Sequence, residues 1–435
     1  MYPPFCLDCK YCMPAVIICQ PLFMKIAIDI NELTLKQKTG VKVYTREIVK
    51  ALEQIDKENE YLLYMNCRDG DLSRLDSKIV MDPDAINPDV VNPDAINRDA
   101  INRRLYGYNF KIKPSKSRLP FWTYTKLPQE IKKDRPDVLF MPIQAVPFFK
   151  KPKNLKIVVT IHDLAFLLFP NHFTRKDKFL LNFHTKRAIK MADKIVAPSE
   201  ATKRDIVKFY GTSPNSLLLG GEDKIKVVWH GVTLPSSPLS VRERTLPLLG
   251  GVGGGKIDKP YILFVGSIQP RKNITGLIKA FELLNTKYKI QNTELVICGG
   301  KGWMADEIYK RAKESKFSKD IIFTGSVSDE ERDEFYKNAL IFALPSFYEG
   351  FGLPVLEAMS FGVPCVVGNN SSFPEIANDN ALFVDANNSD DIAEKINLLI
   401  SNGELRNNLS QKGIKNAENF SWIEAAKKTL EIFKS

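Results

Sequence analysis

Residues 345–359 decide the fold of this chain, and their sequence is Pro-Ser-Phe-Tyr-Glu-Gly-Phe-Gly-Leu-Pro-Val-Leu-Glu-Ala-Met. The apolar run before them, residues 340–344, is typical of a buried parallel strand. Gly350 and Gly352 predict a tight loop, and Pro354 suits the first turn of a helix. A loop between a strand and a helix start leaves backbone N–H groups unpaired beside the positive end of the helix dipole. The stretch therefore predicts a site for an anion such as a diphosphate.

Two carboxylates flank this predicted anion site. Glu349 lies in the loop and Glu357 lies in the first turns of the predicted helix. Because carboxylates repel phosphates, we expect both to accept hydrogen bonds from sugar hydroxyls. The alternative is an ordinary strand, turn and helix that carries two solvated glutamates.

The same stretch resembles the retaining glycosyltransferases of family four, also called group 1, which have the GT-B fold. The resemblance rests on Glu349 and Glu357, with seven residues between them, together with the glycines, the proline and the preceding strand. It implies an α/β protein with two Rossmann-like, doubly wound domains that face each other across a cleft. It covers residues 24–433, strongly in the second half of the chain and loosely in the first.

Length and composition agree with two globular domains. The chain has 435 residues, which is too long for one ordinary core. Its formal net charge is +11, and no RNA- or DNA-binding signature accompanies that charge. The charge therefore indicates a membrane surface, phosphorylated ligands or merely a basic exterior, rather than nucleic acid. No run reaches the ~18 apolar residues of a membrane span. We expect a cytoplasmic protein, peripheral at most at the inner face of the membrane.

Three segments are expected to lie outside the two cores. Residues 1–23 hold Cys6, Cys9, Cys12 and Cys19, and the first three form two overlapping C-x-x-C spacings of the kind that bind zinc or an iron–sulfur cluster. No second ligand pair completes a zinc site, so we expect an unstructured or spurious leader and no bound metal. Residues 83–102 repeat a pentapeptide and are interpreted as a low-complexity insertion. Residues 250–256 imitate a P-loop, but Ile257 occupies the Ser/Thr position and no strand precedes them.

Alternating strands and helices place the domain boundaries. We predict an N-terminal, acceptor-side domain over residues 24–232 and a C-terminal, nucleotide-sugar-binding domain over residues 259–420. The linker between them, residues 233–258, is rich in Pro, Ser, Leu and Gly. The resemblance implies that a last helix, within residues 421–435, packs back on the N-terminal domain.

The resemblance assigns catalytic roles to four residues: His162, Glu349, Arg271 and Lys272. Arg271 and Lys272 match the pair that clamps the donor phosphates in the family, and cations are needed where a leaving diphosphate gains charge. The family often has a further arginine shortly after a glycine, where this chain has Ser267 and Ile268. The alternative for the pair is a solvated turn.

His162 follows a predicted buried strand, residues 156–161. Ligands of open α/β sheets gather beyond the carboxyl ends of strands. His162 and the following Asp163 resemble the family's motif at the reacting centre, where the histidine contacts the sugar. The alternative is a histidine whose hydrogen bonds are satisfied within the protein.

The resemblance also implies a donor-binding set. Glu349 would contact hydroxyls of the transferred sugar, Glu357 the ribose, and the loop containing Val327 would lie beside the base. The set consists of Gly40, Gly266, Val327, Gly350, Phe351, Gly352, Leu353 and Glu357.

These observations predict a retaining hexosyltransferase that moves a sugar from an NDP-sugar to a glycan or lipid-linked acceptor in surface polysaccharide synthesis. Residues 161–166 and 270–273 resemble mannosyltransferase-like members, so GDP-mannose is the first expected donor. We expect no metal or other cofactor. The alternatives are a GT-B glycosyl phosphorylase or sucrose-synthase-like enzyme, and a non-catalytic glycolipid-binding scaffold.

A contact with the membrane surface is a further expectation. Residues 111–156 combine lysines with aromatic residues, which suits a membrane surface or a lipid-phosphate acceptor. The alternative is an ordinary surface whose aromatic residues belong to the core.

Overall fold

The structure is a computed structural model that describes residues 23–34, 39–66, 109–115, 122–211, 221–235, 257 and 259–435. Almost all of the predicted leader, the pentapeptide repeat, the P-loop-like segment and most of the predicted linker lie outside the described residues.

The first domain is built on a parallel sheet. Its described strands are β1 (Lys25–Asp29), β2 (Glu60–Asn66), β3 (Phe110–Ser115), β4 (Val138–Met141), β5 (Lys156–Thr160), β6 (Lys194–Ala197) and β7 (Ile225–Val227). They lie in the order β3-β2-β1-β4-β5-β6-β7. The central strands are buried along most of their length, as expected for a parallel sheet with helices on both faces.

Helices connect these strands. Those described are α1 (Gly40–Ile55), α2 (Trp122–Thr125), α3 (Leu127–Asp134), α4 (Ala165–Leu168), α5 (Arg175–Met191) and α6 (Glu200–Tyr210). The Thr39 side chain accepts a hydrogen bond from Lys42 N and begins α1. Tyr44, Ile48 and Leu52, one turn apart, bury its inner face, as in an amphipathic helix.

The second domain repeats this plan. Its described strands are β8 (Tyr261–Val265), β9 (Glu294–Cys298), β10 (Ile321–Gly325), β11 (Ile341–Leu344), β12 (Cys365–Gly368) and β13 (Leu382–Val384), in the order β10-β9-β8-β11-β12-β13. The strand order reverses between β8 and β11, and such a switch point opens a crevice for ligands. The two loops that follow these strands carry Arg271, Lys272 and Glu349.

The helices of the second domain follow in order: α7 (Ile274–Thr286), α8 (Asp306–Lys313), α9 (Asp329–Asn338), α10 (Leu353–Ser360), α11 (Phe373–Ala377), α12 (Ser389–Ser401) and α13 (Gly403–Ala417). The two parallel sheets with their helices confirm the predicted α/β, GT-B-like architecture.

The last helix, α14 (Trp422–Lys434), packs against the first domain. Its Phe433 ring lies 5.2 Å from the ring of Phe140 in β4. Lys156 Nζ donates to the carbonyls of Ile432 and Ser435 at 2.6 and 2.9 Å, and so satisfies the C-terminal end of the helix. The chain thus crosses back from the second domain to the first.

Strand β3 was not predicted from the sequence. It includes Lys111 and Lys113, which the sequence analysis treated as part of a basic surface segment. Ile112 between them is buried while Lys111 is exposed, which is the alternation of a strand with one covered face.

Candidate active site

Glu349, Arg271 and Lys272 form a buried triad at the switch point. Lys272 Nζ donates to Glu349 Oε1 at 2.7 Å, and an Arg271 amino group lies 3.3 Å from Glu349 Oε2. The same Arg271 group donates to the carbonyl of Tyr348 at 2.6 Å. Arg271 Nε has no hydrogen-bond partner in the described part of the chain. The structure therefore brings together three of the four predicted catalytic residues.

Asn273 connects the two loops that carry the triad. It adopts a left-handed backbone conformation with φ of 55° and ends the short 3-10 turn Pro270–Lys272. Its side-chain oxygen accepts from Gly276 N, so it also begins α7. Its side-chain nitrogen donates to the carbonyls of Pro345 and Ala386 at 3.0 and 2.6 Å. This one side chain ties the loop after β8 to the loop after β11.

The triad has an excess of positive charge, because one carboxylate faces two cations. Burial opposes the ionisation of Glu349, but Lys272 and Arg271 outweigh burial and lower its pKa. Burial lowers the pKa of Lys272 even though Glu349 acts in the opposite direction. Burial also disfavours the charge of Arg271, yet Glu349 and Asp163 raise its pKa. An anionic group of a ligand would neutralise this excess.

His162 follows β5 and faces the triad's loop from the first domain. Its Nε2 lies 2.8 Å from the carbonyl oxygen of Pro142. Burial lowers its pKa, although the Pro142 carbonyl and Asp163 oppose that change, so the ring is neutral near pH 7. A carbonyl only accepts, so Nε2 carries the proton and Nδ1 is left as an acceptor for a hydroxyl group.

Gly350 is one of the points where the two domains touch. A Cβ atom at this position would lie 1.9 Å from the carbonyl oxygen of His162, so only glycine fits. The Gly350 carbonyl accepts hydrogen bonds from Ser199 Oγ at 2.6 Å and Thr202 Oγ1 at 3.1 Å, at the start of α6. The glutamate loop and the histidine are thus held against each other.

Two further contacts connect the domains around this point. Tyr348 donates its hydroxyl to Asp205 at 2.6 Å. Glu375 of α11 accepts from Glu200 N at 2.9 Å, at the N-terminal end of α6, and from Trp229 Nε1 at 2.6 Å. A carboxylate at this position interacts favourably with the positive, N-terminal end of the helix dipole of α6. The sequence analysis did not single out these residues.

Glu357 lies in a separate cavity of about 240 Å³ between the domains. Its carboxylate accepts from the Tyr336 hydroxyl at 2.8 Å and lies 3.5 Å from an amino group of Arg332. Across the cavity, Arg46 of α1 pairs with Asp329 of α9 at 3.3 Å. The walls include residues 231–235, Leu353 and Trp422.

The other predicted donor-binding residues lie around these two places. Gly266 is adjacent to the triad, because a Cβ atom there would be 3.7 Å from Lys272 Cε. Gly352 has a φ of 104° at the start of α10, and Leu353 packs on the cores of both domains. Gly40 begins α1, and no atom of the described residues lies within 4 Å of a Cβ built there, whereas Val327 packs against the core of the second domain.

The loop also offers backbone donors. The N–H groups of Phe351, Gly352 and Leu353 donate to no acceptor in the described part of the chain. Ser372 Oγ fixes the loop by donating to the carbonyls of Glu349 and Phe351 at 3.0 and 2.5 Å. This arrangement fits the anion site predicted from the glycines and the helix start.

His230 is a buried histidine that the sequence analysis did not place. Its ring lies 4.5 Å from Tyr44, 4.8 Å from Phe351 and 5.6 Å from His162, measured between centroids. Neither ring nitrogen has a hydrogen-bond partner among the described residues. Burial lowers its pKa well below the usual value, and His162 adds to that effect. One signal was available, because His230 closely follows β7 as His162 closely follows β5.

Replacing His230 by phenylalanine is expected to weaken the acid sensitivity of the fold. A histidine whose pKa is lower in the folded protein than in the unfolded chain binds a proton more readily when the chain is unfolded. The free energy of unfolding therefore falls as pH drops below about 6.5. One proton contributes at most about 1.4 kcal/mol per pH unit. The melting temperature between pH 7.5 and pH 5, compared for the wild type and His230→Phe, tests this. Identical pH dependence in both proteins would contradict it.

The described residues show neither a metal-binding group nor a membrane-spanning helix. Among them, no three His, Cys, Asp or Glu side chains gather in a group that could hold a metal ion. None of the described helices is both long and apolar enough to cross a membrane.

Comparison with known proteins identifies relatives for both domains. Residues 39–234 match the family model described as Glycosyltransferase Family 4, and residues 254–416 match Glycosyl transferases group 1. O-antigen chain mannosyltransferase B of Escherichia coli is 29% identical over 289 residues, which are 66% of this chain and 73% of that protein. Together the two models cover most of the chain.

Solved structures show the same fold. The chain is similar to sucrose-phosphate synthase from Thermosynechococcus elongatus, with a TM-score of 0.64, 15% identity and coverage of 94% of this chain and 98% of that one. It is also similar to Anabaena Alr3699/HepE, whose structure is a complex with UDP-glucose, with a TM-score of 0.63, 14% identity and coverage of 94% and 99%.

Proposed function

Because this chain belongs to glycosyltransferase family 4 and has the GT-B fold, we propose that it is a retaining hexosyltransferase that uses an NDP-sugar donor. The acceptor in this proposal is a glycan or a lipid-linked saccharide, and the product is part of a surface polysaccharide. The location is cytoplasmic, at the inner face of the membrane.

The buried triad carries this proposal. When the bond from the sugar C1 to the donor phosphate breaks, negative charge develops on the leaving diphosphate. Arg271 and Lys272 place two buried cations at the strand switch point, where a diphosphate would lie. Cations in a site shielded from water stabilise such developing charge strongly.

Glu349 would position the sugar. Both cations engage its carboxylate, which favours hydrogen bonding to sugar hydroxyls over covalent attack on C1. His162 approaches from the first domain with a neutral ring whose Nδ1 accepts hydrogen bonds. In a front-face reaction, the leaving phosphate oxygen takes the proton of the acceptor hydroxyl, whose oxygen bonds to C1 on the same face. The configuration at C1 is then retained.

The stereochemistry of the product tests the retaining mechanism. We expect proton NMR of the purified product to show the same anomeric configuration as the donor sugar. An inverted linkage would contradict the front-face reaction, but it would not contradict the assignment of the donor site.

Mannose is the first donor sugar of this proposal. Its support is the similarity to O-antigen chain mannosyltransferase B and the local sequence around His162 and Arg271. A glycosyl phosphorylase or sucrose-synthase-like enzyme is distinguished by transfer of the sugar to free phosphate or to a free NDP. A glycolipid-binding scaffold is distinguished by the absence of turnover with every donor.

Glu357→Gln is expected to raise the KM for the donor about tenfold and to change kcat little. The Glu357 carboxylate lies in the interdomain cavity, away from the triad, where it would accept hydrogen bonds from the ribose hydroxyls. An interaction that is equal in the ground state and the transition state affects binding and not the chemical step. Steady-state kinetics measures both constants, and a loss confined to kcat would contradict this assignment.

The proposal requires no bound metal, because Arg271 and Lys272 supply the positive charge at the diphosphate. Turnover is therefore expected to be unchanged by EDTA. Loss of turnover in EDTA, restored by a divalent cation, would show that this part of the proposal is wrong.

A further inference from the structure

One side of the first domain exposes an unusual group of large apolar residues. Phe179 is 71% exposed, Phe183 is 44% exposed and Leu180 is 39% exposed, all on α5, and Phe148 beside them is 46% exposed. The buried residues of α5 are Thr185, Ala188 and Ile189, which face the opposite direction. The apolar residues at this spacing therefore form one outward-facing stripe.

Cations surround this stripe. Helix α5 has the sequence Arg-Lys-Asp-Lys-Phe-Leu-Leu-Asn-Phe-His-Thr-Lys-Arg-Ala-Ile-Lys-Met, so its basic residues far outnumber its single acidic one. Lys176, Lys186 and Lys190 are exposed on the same side as the apolar residues. Arg187 lies 4.4 Å above the ring of Phe148 and fixes that ring at the edge of the stripe.

A basic cavity of about 590 Å³ lies at the C-terminal end of α5. Its charged walls are Lys151, Arg187, Lys190, Lys224 and Asp193. Asp193, the one carboxylate among these described lining residues, is already paired with Lys151 at 2.5 Å. Lys224 is buried and donates to the carbonyl of Ile189 at 2.7 Å. The cavity therefore has a surplus of cations that suits a phosphate group.

We propose that the face formed by Phe148 and the outer side of α5, together with the basic cavity, docks on an anionic membrane surface. The aromatic and leucine side chains enter the boundary between headgroups and acyl chains, and the lysines and Arg187 contact phosphate headgroups. Charge complementarity selects this occupant, because a stripe rimmed almost entirely by cations matches an anionic lipid surface better than a mixed-charge protein surface.

The position of α5 connects this face to the cleft. Thr174 caps the helix, and the nearby His172 carbonyl accepts from Trp303 Nε1 of the second domain at 2.7 Å. The N-terminal end of α5 thus lies where the two domains meet, and its 17 residues span about 25 Å to the basic cavity. This inference rests on the proposed function, since a docked enzyme would present its cleft to a lipid-linked acceptor.

Vesicle flotation tests the docking without any activity measurement. The full chain is mixed with vesicles of phosphatidylcholine alone or of phosphatidylcholine with phosphatidylglycerol. We expect binding to the anionic vesicles only, weakening as salt is added. The double variant Phe179→Ser/Phe183→Ser is expected to bind more than tenfold more weakly, and Lys190→Gln about fivefold more weakly.

Matched controls come from the second domain. Leu398 is 40% exposed on α12, and Lys412 is exposed on α13, so Leu398→Ser and Lys412→Gln should leave vesicle binding unchanged. Donor turnover without vesicles should be equal in all these variants, which separates failure of the docking from failure of the proposed function. No binding by the wild type, equal binding to neutral vesicles, or equal losses in the controls would each overturn the proposal.

Discussion

Lys272→Met is expected to lower kcat for NDP-sugar turnover by a factor of about 100 to 1,000. Methionine keeps the length of the buried side chain but removes the positive charge that lies 2.7 Å from Glu349. The charge of a leaving diphosphate grows as the sugar bond breaks, so the loss falls on the transition state more than on the bound donor. Release of the NDP, followed at saturating donor, measures this effect.

Lys259→Met is the matched control for that variant. Lys259 also pairs with a carboxylate of the second domain, Asp320 at 2.5 Å, but this pair is partly exposed and lies away from the triad. Its loss should cost little stability and should leave turnover unchanged. Equal turnover in Lys272→Met and Lys259→Met would show that the triad does not hold the leaving group.

Gly350→Ala is expected to separate the domains and to lower turnover at least about 100-fold. The added Cβ would lie 1.9 Å from the His162 carbonyl oxygen and 2.9 Å from Asp163 Cβ. The first contact is with backbone, so rotation of a side chain cannot relieve it. The hydrogen bonds from Ser199 and Thr202 to the Gly350 carbonyl would be lost with the contact. Turnover and the radius of gyration from X-ray scattering measure the two consequences.

Gly403→Ala provides the comparison for the glycine variant. Gly403 begins α13, and a Cβ there would meet nothing closer than an Arg406 nitrogen at 3.6 Å, an ordinary contact. This variant should keep both turnover and the radius of gyration of the wild type. A Gly350→Ala protein with full turnover and unchanged dimensions would contradict the closed arrangement of His162 and the glutamate loop.

Local features of the central motif were predictable from the sequence. The apolar run of β11, the loop and the helix α10 appear in that order, and Gly352 has the positive φ that glycine tolerates. These features depend on residues close together in the chain. Turn chemistry and hydrophobic periodicity therefore suffice to predict them.

The partners of Glu349 depend on the order of the strands. Lys272 and Glu349 are 77 residues apart in the chain. They meet because β8 and β11 are neighbours in the sheet and because Asn273 ties their loops together. The resemblance to a family placed both residues at the donor, but the residues alone did not show that they form an ion pair.

His230 and the outer side of α5 could not be found from the sequence for a related reason. His230 is enclosed by rings from α1, the glutamate loop and α14, which come from distant parts of the chain. Phe179 and Phe183 lie on α5, and the sequence does not indicate that their rings face outward. Which side of a helix is buried depends on the neighbouring elements, which only the fold supplies.

Donor turnover by the wild-type protein is the decisive measurement for the NDP-sugar site. The protein is incubated with GDP-, UDP- and ADP-sugars, and NDP release is followed for the wild type and for Glu349→Gln. We expect release from one donor, with mannose the first sugar expected, and loss of that release in the variant. Absence of NDP release with every donor, together with no thermal stabilisation by any of the nucleotides, would contradict the assignment of residues 345–359 to an NDP-sugar site.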